Sequence, residues 1–211
     1  MRELSQHMKN PGAEYWNAAE RFVGYMKYSP YKKMNYKKPR EFRVIGFIDS
    51  NFGKNTDDRK SVSGNIITID ERSTVDSSST TQRVVSLSST DAEYQACSKL
   101  CQGIVFVHQL CDEIMGHGFV QKPAIVKMDN KGAIFMIRNH QTGQRTRHID
   151  IRHHWMRNLQ AEKEIDVIYC NTLDNASDIE TKNLPSKLFH KHTKMIRNLN
   201  NDENEDEEKN D

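Results

Sequence analysis

Between residues 90 and 115, apolar side chains recur at Cys97, Leu100, Ile104, Val107, Cys111 and Ile114. That is a helical period held for about five turns. A helix this long with a single apolar stripe needs a broad surface to lie on, and an open sheet is the usual one. The upstream sequence offers strands: residues 41–49, 62–69 and about 82–87 alternate or run β-branched, with polar loops at 51–60 and 70–79. Downstream the pattern alternates. A strand is expected over 124–128, a helix from near Asn130, a helix from His148 to about Ala161 and a strand over 165–170. A last helical segment, 174–197, is broken at Pro185. Three antiparallel strands, a helix, and then alternating strand and helix read as an α/β domain with a mixed sheet.

Before that domain, Asn10-Pro11 predicts the start of a helix running to about Lys27, with Tyr15, Ala18, Ala19, Phe22, Val23 and Met26 as its apolar stripe. Pro30 and Pro39 bracket a linker. The expected division is therefore 1–40 as a helix with a basic linker, 41–198 as the folded domain and 199–211 as a disordered tail. No run of 18 apolar residues exists, and the first 25 residues hold no continuous apolar segment, so neither a membrane span nor a secretory signal is expected. Cys97, Cys101, Cys111 and Cys170 form no Cys-x-x-Cys pair, and three of them lie on or beside the helix stripe. Reduced thiols in a cytosolic or nuclear protein fit that placement.

The net charge of +2 conceals an asymmetry. Residues 201–211 carry seven Asp/Glu and one Lys, a net of −6, which leaves the rest of the chain at +8. Residues 1–40 carry nine Lys/Arg against three Glu. There Lys37, Lys38 and Arg40 are interleaved with Tyr28, Tyr31 and Tyr36, a mixture suited to a phosphate backbone with some base stacking, and equally to a solvated linker. The tail holds no apolar residue and is expected to be disordered.

Four carboxylates stand where a merely solubilising charge would not. Asp49 ends the run Glu41-Phe-Arg-Val-Ile-Gly-Phe-Ile-Asp49, on the strand face of Ile45 and Phe47. Glu93 shares the apolar stripe of the long helix, Asp129 closes a short apolar run, and Asp178 opens a late helix. Three have a structural explanation of their own: Thr90-Asp-Ala-Glu93 reads as a capping box, Asp129 as an N-cap, Asp178 as a first-turn acid, whereas Asp49 is harder to dismiss because its strand neighbours are apolar. Taken together, several carboxylates facing a core need a compensating cation. Oxygen ligands of this kind suit a divalent ion such as Mg²⁺ or Mn²⁺, and phosphoryl chemistry on a polyanion.

Six words occur in order: Gly46-Phe-Ile-Asp49, Asp58-Arg-Lys-Ser-Val-Ser-Gly64, Ser86-Leu-Ser-Ser-Thr-Asp-Ala-Glu-Tyr94, Met128-Asp-Asn130, Arg147-His-Ile-Asp-Ile-Arg152 and Asp178-Ile-Glu-Thr-Lys182. Together they resemble the ribonuclease H domain of copia-type retrotransposon polyproteins, over about residues 42–190. The N-terminal helix looks like the end of the preceding reverse transcriptase. The resemblance implies a ribonuclease-H-like α/β fold, a five-stranded mixed sheet flanked by helices. It implies an Asp-Glu-Asp-Asp site carried over to Asp49, Glu93, Asp129 and Asp178, holding two Mg²⁺ ions (Mn²⁺ being the alternative) that cleave the RNA strand of an RNA–DNA hybrid. The order of the acids separates it from integrases of the same fold, where the Glu comes last.

The segment around His148, His153 and His154 lacks the spacing of a helical zinc site. Arg145, Arg147 and Arg152 there are expected to meet phosphates, with Asn130, Ser88 and Ser89 near the substrate. The loop Asn171-Thr-Leu-Asp-Asn-Ala-Ser177 contains no histidine, so no residue takes the product-release role found in many cellular ribonucleases H. Three departures from the family pattern stand out: Phe52 for a Trp, Glu180 for an apolar residue, and Ser79-Thr-Thr-Gln82 for a Ser-Lys-Lys-Gln segment. The expected partners are an RNA–DNA hybrid and the polymerase and integrase regions of a parent polyprotein, in the cytoplasm, within virus-like particles, or in the nucleus. The alternative reading is a non-catalytic element remnant that keeps the fold and binds nucleic acid.

Overall fold

The computed structural model describes residues 2–5, 8–28, 33–53, 59–139 and 147–199. The acidic tail, Tyr31, Asp58 and Arg145 lie outside the described residues. The chain divides into two compact units, one up to Met34 and one from Asn35 onward. The first holds α1 (Arg2–Ser5) and α2 (Ala13–Tyr28). On α2 the expected stripe is only half-covered at Ala18, Ala19 and Phe22, while Tyr15, Val23 and Met26 are exposed. The helix begins at Ala13 rather than at the Asn10-Pro11 pair, with Gly12 accepting the first backbone hydrogen bonds.

The second unit is built on one sheet: β1 (Arg43–Asn51), β2 (Val62–Ile69), β3 (Ser73–Thr81), β4 (Gln121–Met128) and β5 (Ile165–Tyr169). The strand order is β3-β2-β1-β4-β5. The first three strands are antiparallel to one another in turn, and the pairings of β1 with β4 and of β4 with β5 are parallel. The helices are α3 (Ser89–Met115), α4 (Lys131–Arg138), α5 (Arg147–Ala161), α6 (Asp178–Thr181) and α7 (Ser186–Arg197). This is the ribonuclease-H-like arrangement, a five-stranded mixed sheet flanked by helices.

The period of two along β1 distributes its side chains between two cores. Val44 and Ile48 join Leu100, Ile104 and Tyr94 in the main cluster beneath α3. Ile45 and Phe47 turn the other way, against Ile66, Ala176, Ile179, Met195 and Ile196. Each such side chain stabilises the fold by about 1.5–3 kcal/mol of burial. Gly46 sets how closely α3 sits, because a Cβ there would come within 2.8 Å of Leu100 Cδ2.

One strand differs from the expected pattern. The sequence places the third strand at residues 82–87, but these form a connection in which Val84 and Val85 are exposed; the strand is the polar stretch Ser73–Thr81. As an edge strand β3 needs an apolar residue on only one face and takes its hydrogen bonds from β2. Gln82 then closes the hairpin: buried, it donates to Ser63 Oγ at 3.0 Å and to the Ala92 carbonyl at 2.8 Å, anchoring the start of α3.

Candidate metal and catalytic site

Parallel pairing brings the first two acids together. Phe47 of β1 pairs with Lys127 of β4, and two residues further along each strand direction lie Asp49 and Asp129. Both therefore stand at the carboxyl ends of the central parallel strands, where open α/β sheets commonly bind ligands. Asp178 arrives from α6, which packs on β1 and β2 beside the second core. Carboxylate oxygens of Asp49, Asp129 and Asp178 all lie within 4.8 Å of one another. Asp49 and Asp178 are each only 2% exposed, while Asp129 is half-buried.

Glu93 comes from the N-terminal end of α3, and the structure separates it from capping. Ser88 is the N-cap, its hydroxyl accepting from Asp91 N at 3.1 Å, and the Asp91 carboxylate accepts from Leu87 N at 3.0 Å. The capping pair is thus Ser88 with Asp91, whose carboxylate reaches back one residue beyond the N-cap, and it lies two residues earlier than the Thr90–Glu93 pairing that the sequence suggests. Glu93, 4% exposed, instead turns to β1, where its Oε1 accepts from Ser50 N at 3.0 Å. Its Oε2 is buried with no hydrogen-bond partner. Asp129 is likewise not a cap: Asn130 caps α4, accepting from Ala133 N at 3.0 Å. Asp178 does lie in the first turn of α6, but its burial beside Asp49 goes beyond an answer to the helix dipole.

Crowding of buried like charges shows in the protonation of the acids. Burial, reinforced by the nearby Asp49 and Asp129 charges, pushes the Glu93 carboxyl up to about 9. Burial and Asp49 push Asp178 up to about 6, against the opposing pull of Lys182. The donors are hard oxygens, three in mutual reach, with a fourth carboxylate bearing an unpartnered buried oxygen close by. Such a set fits a hard divalent cation of the Mg²⁺ or Mn²⁺ kind.

A further layer fixes the carboxylates, and most of it leaves no mark in the sequence. The Lys182 ammonium donates to Asp49 Oδ1 and to Asp178 Oδ1, both at 3.0 Å. The Thr181 hydroxyl donates to Asp49 Oδ2. Thr172 Oγ1 donates to Asp129 Oδ2 at 2.8 Å. Asn175, fully buried, donates to the Ile48 carbonyl at 2.7 Å and accepts from Ser177 Oγ at 2.7 Å, tying the loop before α6 to β1. Only the Asp178–Lys182 spacing of four carries a signal in the sequence, that of an i,i+4 pair.

The expected nucleic-acid residues are scattered. Lys37, Lys38 and Arg40 sit at the opposite end of the sheet from Asp49. The Lys37 backbone exchanges hydrogen bonds with the Ser73 hydroxyl, and Arg40 is held by Asp70 through its backbone N at 2.8 Å and its Nε at 3.3 Å. Six residues of β1 separate that end from Asp49, roughly 20 Å of strand. Asn130 spends its side-chain oxygen on the cap of α4. Arg147 and Arg152 lie on α5. Of the departures, Phe52 is exposed. Glu180 is half-buried; burial pushes its carboxyl above the usual range, Ser77 hydrogen-bonds it, and its own carbonyl accepts from Ser79 Oγ at 2.5 Å. The fifth acid therefore serves as packing between α6 and β3. All four cysteines are free; Cys97, Cys101 and Cys170 are buried and Cys111 is partly so. Among the described residues, no helix is long and apolar enough to cross a membrane.

No protein-family model matches the chain. It is similar to the retrovirus-related Pol polyprotein of transposon TNT 1-94 from Nicotiana tabacum, 28% identical over 186 residues, which is 88% of this chain and 14% of that protein. The Pol polyprotein of transposon RE2 from Arabidopsis thaliana is 28% identical over 92% of this chain and 13% of its own length. The chain thus spans about one-seventh of the length of the curated relatives it matches. Among solved structures, it is similar to the N-terminal ribonuclease H domain of a Mycobacterium tuberculosis protein, with a TM-score of 0.49 at 12% identity over 73% of this chain and 98% of that one. A ribonuclease H1 isolated from compost gives a TM-score of 0.48 at 15% identity, covering 65% of this chain and 91% of that one.

Proposed function

For a chain homologous over most of its length to the Pol polyproteins of plant retrotransposons, we propose a divalent-metal-dependent nuclease that hydrolyses the RNA strand of RNA–DNA hybrids during element replication. The observation that carries this reading is the convergence of Asp49, Asp129 and Asp178 within 4.8 Å, with the unpartnered Glu93 oxygen close by. A merely solubilising cluster of acids would not bury its members this deeply.

Asp49, Glu93, Asp129 and Asp178 are the groups that would hold two Mg²⁺ ions, or Mn²⁺ in their place. When bound, such ions supply an activated water and offset the charge that builds on the scissile phosphate and on the departing 3′ oxygen. The rest of the work belongs to the chain. Thr181 and Lys182 orient Asp49, Thr172 orients Asp129 and the Ser50 amide orients Glu93, so that the carboxylates are in position before substrate arrives. Asp49 lies on the central strand with a carboxylate oxygen within 4.8 Å of those of both Asp129 and Asp178, so it is the acid with which each of them would share the task of holding an ion. Hybrid selectivity would come from groove shape and 2′-hydroxyls rather than from base edges. The positive charge outside the tail, with Arg145, Arg147, Arg152, Lys37, Lys38 and Arg40 among its carriers, would supply phosphate contacts.

The test is cleavage of a labelled RNA–DNA hybrid beside double-stranded DNA and double-stranded RNA of the same sequence, each with Mg²⁺, with Mn²⁺ and with EDTA. Metal-dependent cutting confined to the RNA of the hybrid is the expected result. Cutting of duplex DNA instead would move the protein to the integrase-like class of activity. A folded protein that cuts none of them would be a non-catalytic remnant.

A further inference from the structure

We propose that Lys182 is a built-in counter-cation that occupies the cation position between Asp49 and Asp178 in the metal-free protein, and that a divalent ion binds there by displacing it. The inference rests on the reading of these carboxylates as metal ligands. Its geometry is specific. The Lys182 ammonium lies 3.0 Å from an oxygen of each aspartate, and those two side chains are only 2% and 3% exposed. Two carboxylates so buried and so close repel each other unless a positive charge sits between them. A water could bridge them but would not neutralise them.

The mobility needed for displacement is also present. Lys182 is the residue that ends α6, with extended backbone and its amide bonded to the Asp178 carbonyl, so the side chain leaves the helix at its edge. That side chain is 35% exposed, whereas its partners are almost wholly enclosed. A flexible four-carbon stem with a strongly hydrated ammonium can rotate into water without disturbing α6. Asp49 keeps the Thr181 hydroxyl as its other donor, so the carboxylate stays in place when the lysine departs. A metal ion on the same oxygens would stand next to the ammonium, and their repulsion forces the exchange. The consequence is competition: the residue that holds these carboxylates in order also weakens their grip on the metal. It differs from a catalytic role, because Lys182 acts through the aspartates it holds.

The experiment uses the full chain without nucleic acid and Mn²⁺ as the probe, with free Mn²⁺ followed by electron paramagnetic resonance. Wild type, Lys182→Met, Lys182→Arg and Asp49→Asn are compared. Lys182→Met removes the charge and keeps the length, and it is expected to bind Mn²⁺ on the order of tenfold more tightly, within the usual span of coupled binding events. Lys182→Arg keeps the charge and is expected to stay near wild type. Unchanged or weaker binding by Lys182→Met, with wild-type binding that Asp49→Asn abolishes, overturns the displacement and leaves the metal site standing. Equal tightening by Met and Arg overturns it as well, because the effect would then be one of packing. Absence of Mn²⁺ binding in every protein removes the metal-ligand reading and the displacement together. A measurement on wild type alone covers the case of a variant that does not fold: acetylation of Lys182 by an N-hydroxysuccinimide ester, read by mass spectrometry, should quicken severalfold when Mn²⁺ is added. An unchanged rate with Mn²⁺ bound overturns the proposal.

Discussion

Replacing Glu93 by Gln should make the metal-free protein more stable at neutral and alkaline pH. Gln keeps the shape and can accept from the Ser50 amide, but it carries no charge into a buried site that already holds Asp49 and Asp129. The folded-state value of about 9 compares with an ordinary value of 4.5. A group whose value is raised in the folded protein contributes stability that is fully present below the unfolded value and is lost as pH rises through the folded one. For Glu93 that window runs from about pH 4.5 to about pH 9. At pH 7.5 about three units of the gap are in play, an upper bound of about 4 kcal/mol. Local relaxation and water entry offset roughly half of that, leaving about 2 kcal/mol. For a chain of this size the gain corresponds to a rise in Tm of about 4–8 °C. Chemical denaturation in EDTA at pH 5, 6.5 and 8 checks it: wild type should weaken as pH rises, the variant should weaken less, and the two should converge near pH 5. With Mn²⁺ added the order should reverse, since the variant has lost a ligand. A Gln variant less stable than wild type in EDTA at pH 8, or parallel pH profiles, would refute the reasoning.

Two further expectations test the framework around the carboxylates. Gly64 lies opposite Asp49 in the β1–β2 register, and a Cβ there would stand 2.7 Å from Thr181 Cγ2, 2.8 Å from Glu180 Cβ and 2.8 Å from the Ser177 carbonyl. Gly64→Ala should therefore push α6 from the sheet, costing about 1–3 kcal/mol by denaturant titration and weakening Mn²⁺ binding together with it; a variant that binds Mn²⁺ like wild type would show that α6 position is not critical. His192 on α7 is fully buried, neither ring nitrogen has a hydrogen-bond partner, and burial depresses its protonation below the ordinary imidazole value of 6.5. The stability it contributes is present above that value and is lost as pH falls toward the folded one, so His192→Leu should flatten the stability profile below about pH 6.5 relative to wild type, and an equally steep acid limb in the variant would contradict the assignment.

The four acids are legible in the sequence because each interrupts a pattern. Asp49 ends a strand face shared with Ile45 and Phe47, and Glu93 lies on an otherwise apolar helix stripe, so periodicity alone marks them as inward-facing. The cap of α3 is misplaced by two residues because Ser88-Ser-Thr-Asp91 and Thr90-Asp-Ala-Glu93 both match the same short signature. Tertiary contact decides between them: Ser88 caps the helix at the earlier pair and Glu93 is left to Ser50. The third strand is misplaced for a different reason. Ser73–Thr81 is rich in serine and reads as a loop, whereas the β-branched pair Val84 and Val85 lies in an exposed connection. Edge strands depend on a neighbour's backbone more than on their own side chains, and that dependence leaves little trace in sequence. Thr172 and Asn175 are invisible because their roles arise from a loop whose path only the folded sheet defines.

The central claim is that the converging carboxylates form a metal-dependent nuclease centre. It is tested most directly by the rate of hybrid cleavage in Mg²⁺ for wild type and for Asp49→Asn, purified side by side and shown to be equally folded. Wild type is expected to cut and EDTA to abolish the cutting, with a loss of at least about a hundredfold in the variant, beyond what removal of a supporting hydrogen bond at a metal site costs. Equal rates for the two proteins, or cutting by wild type that persists in EDTA, would contradict it.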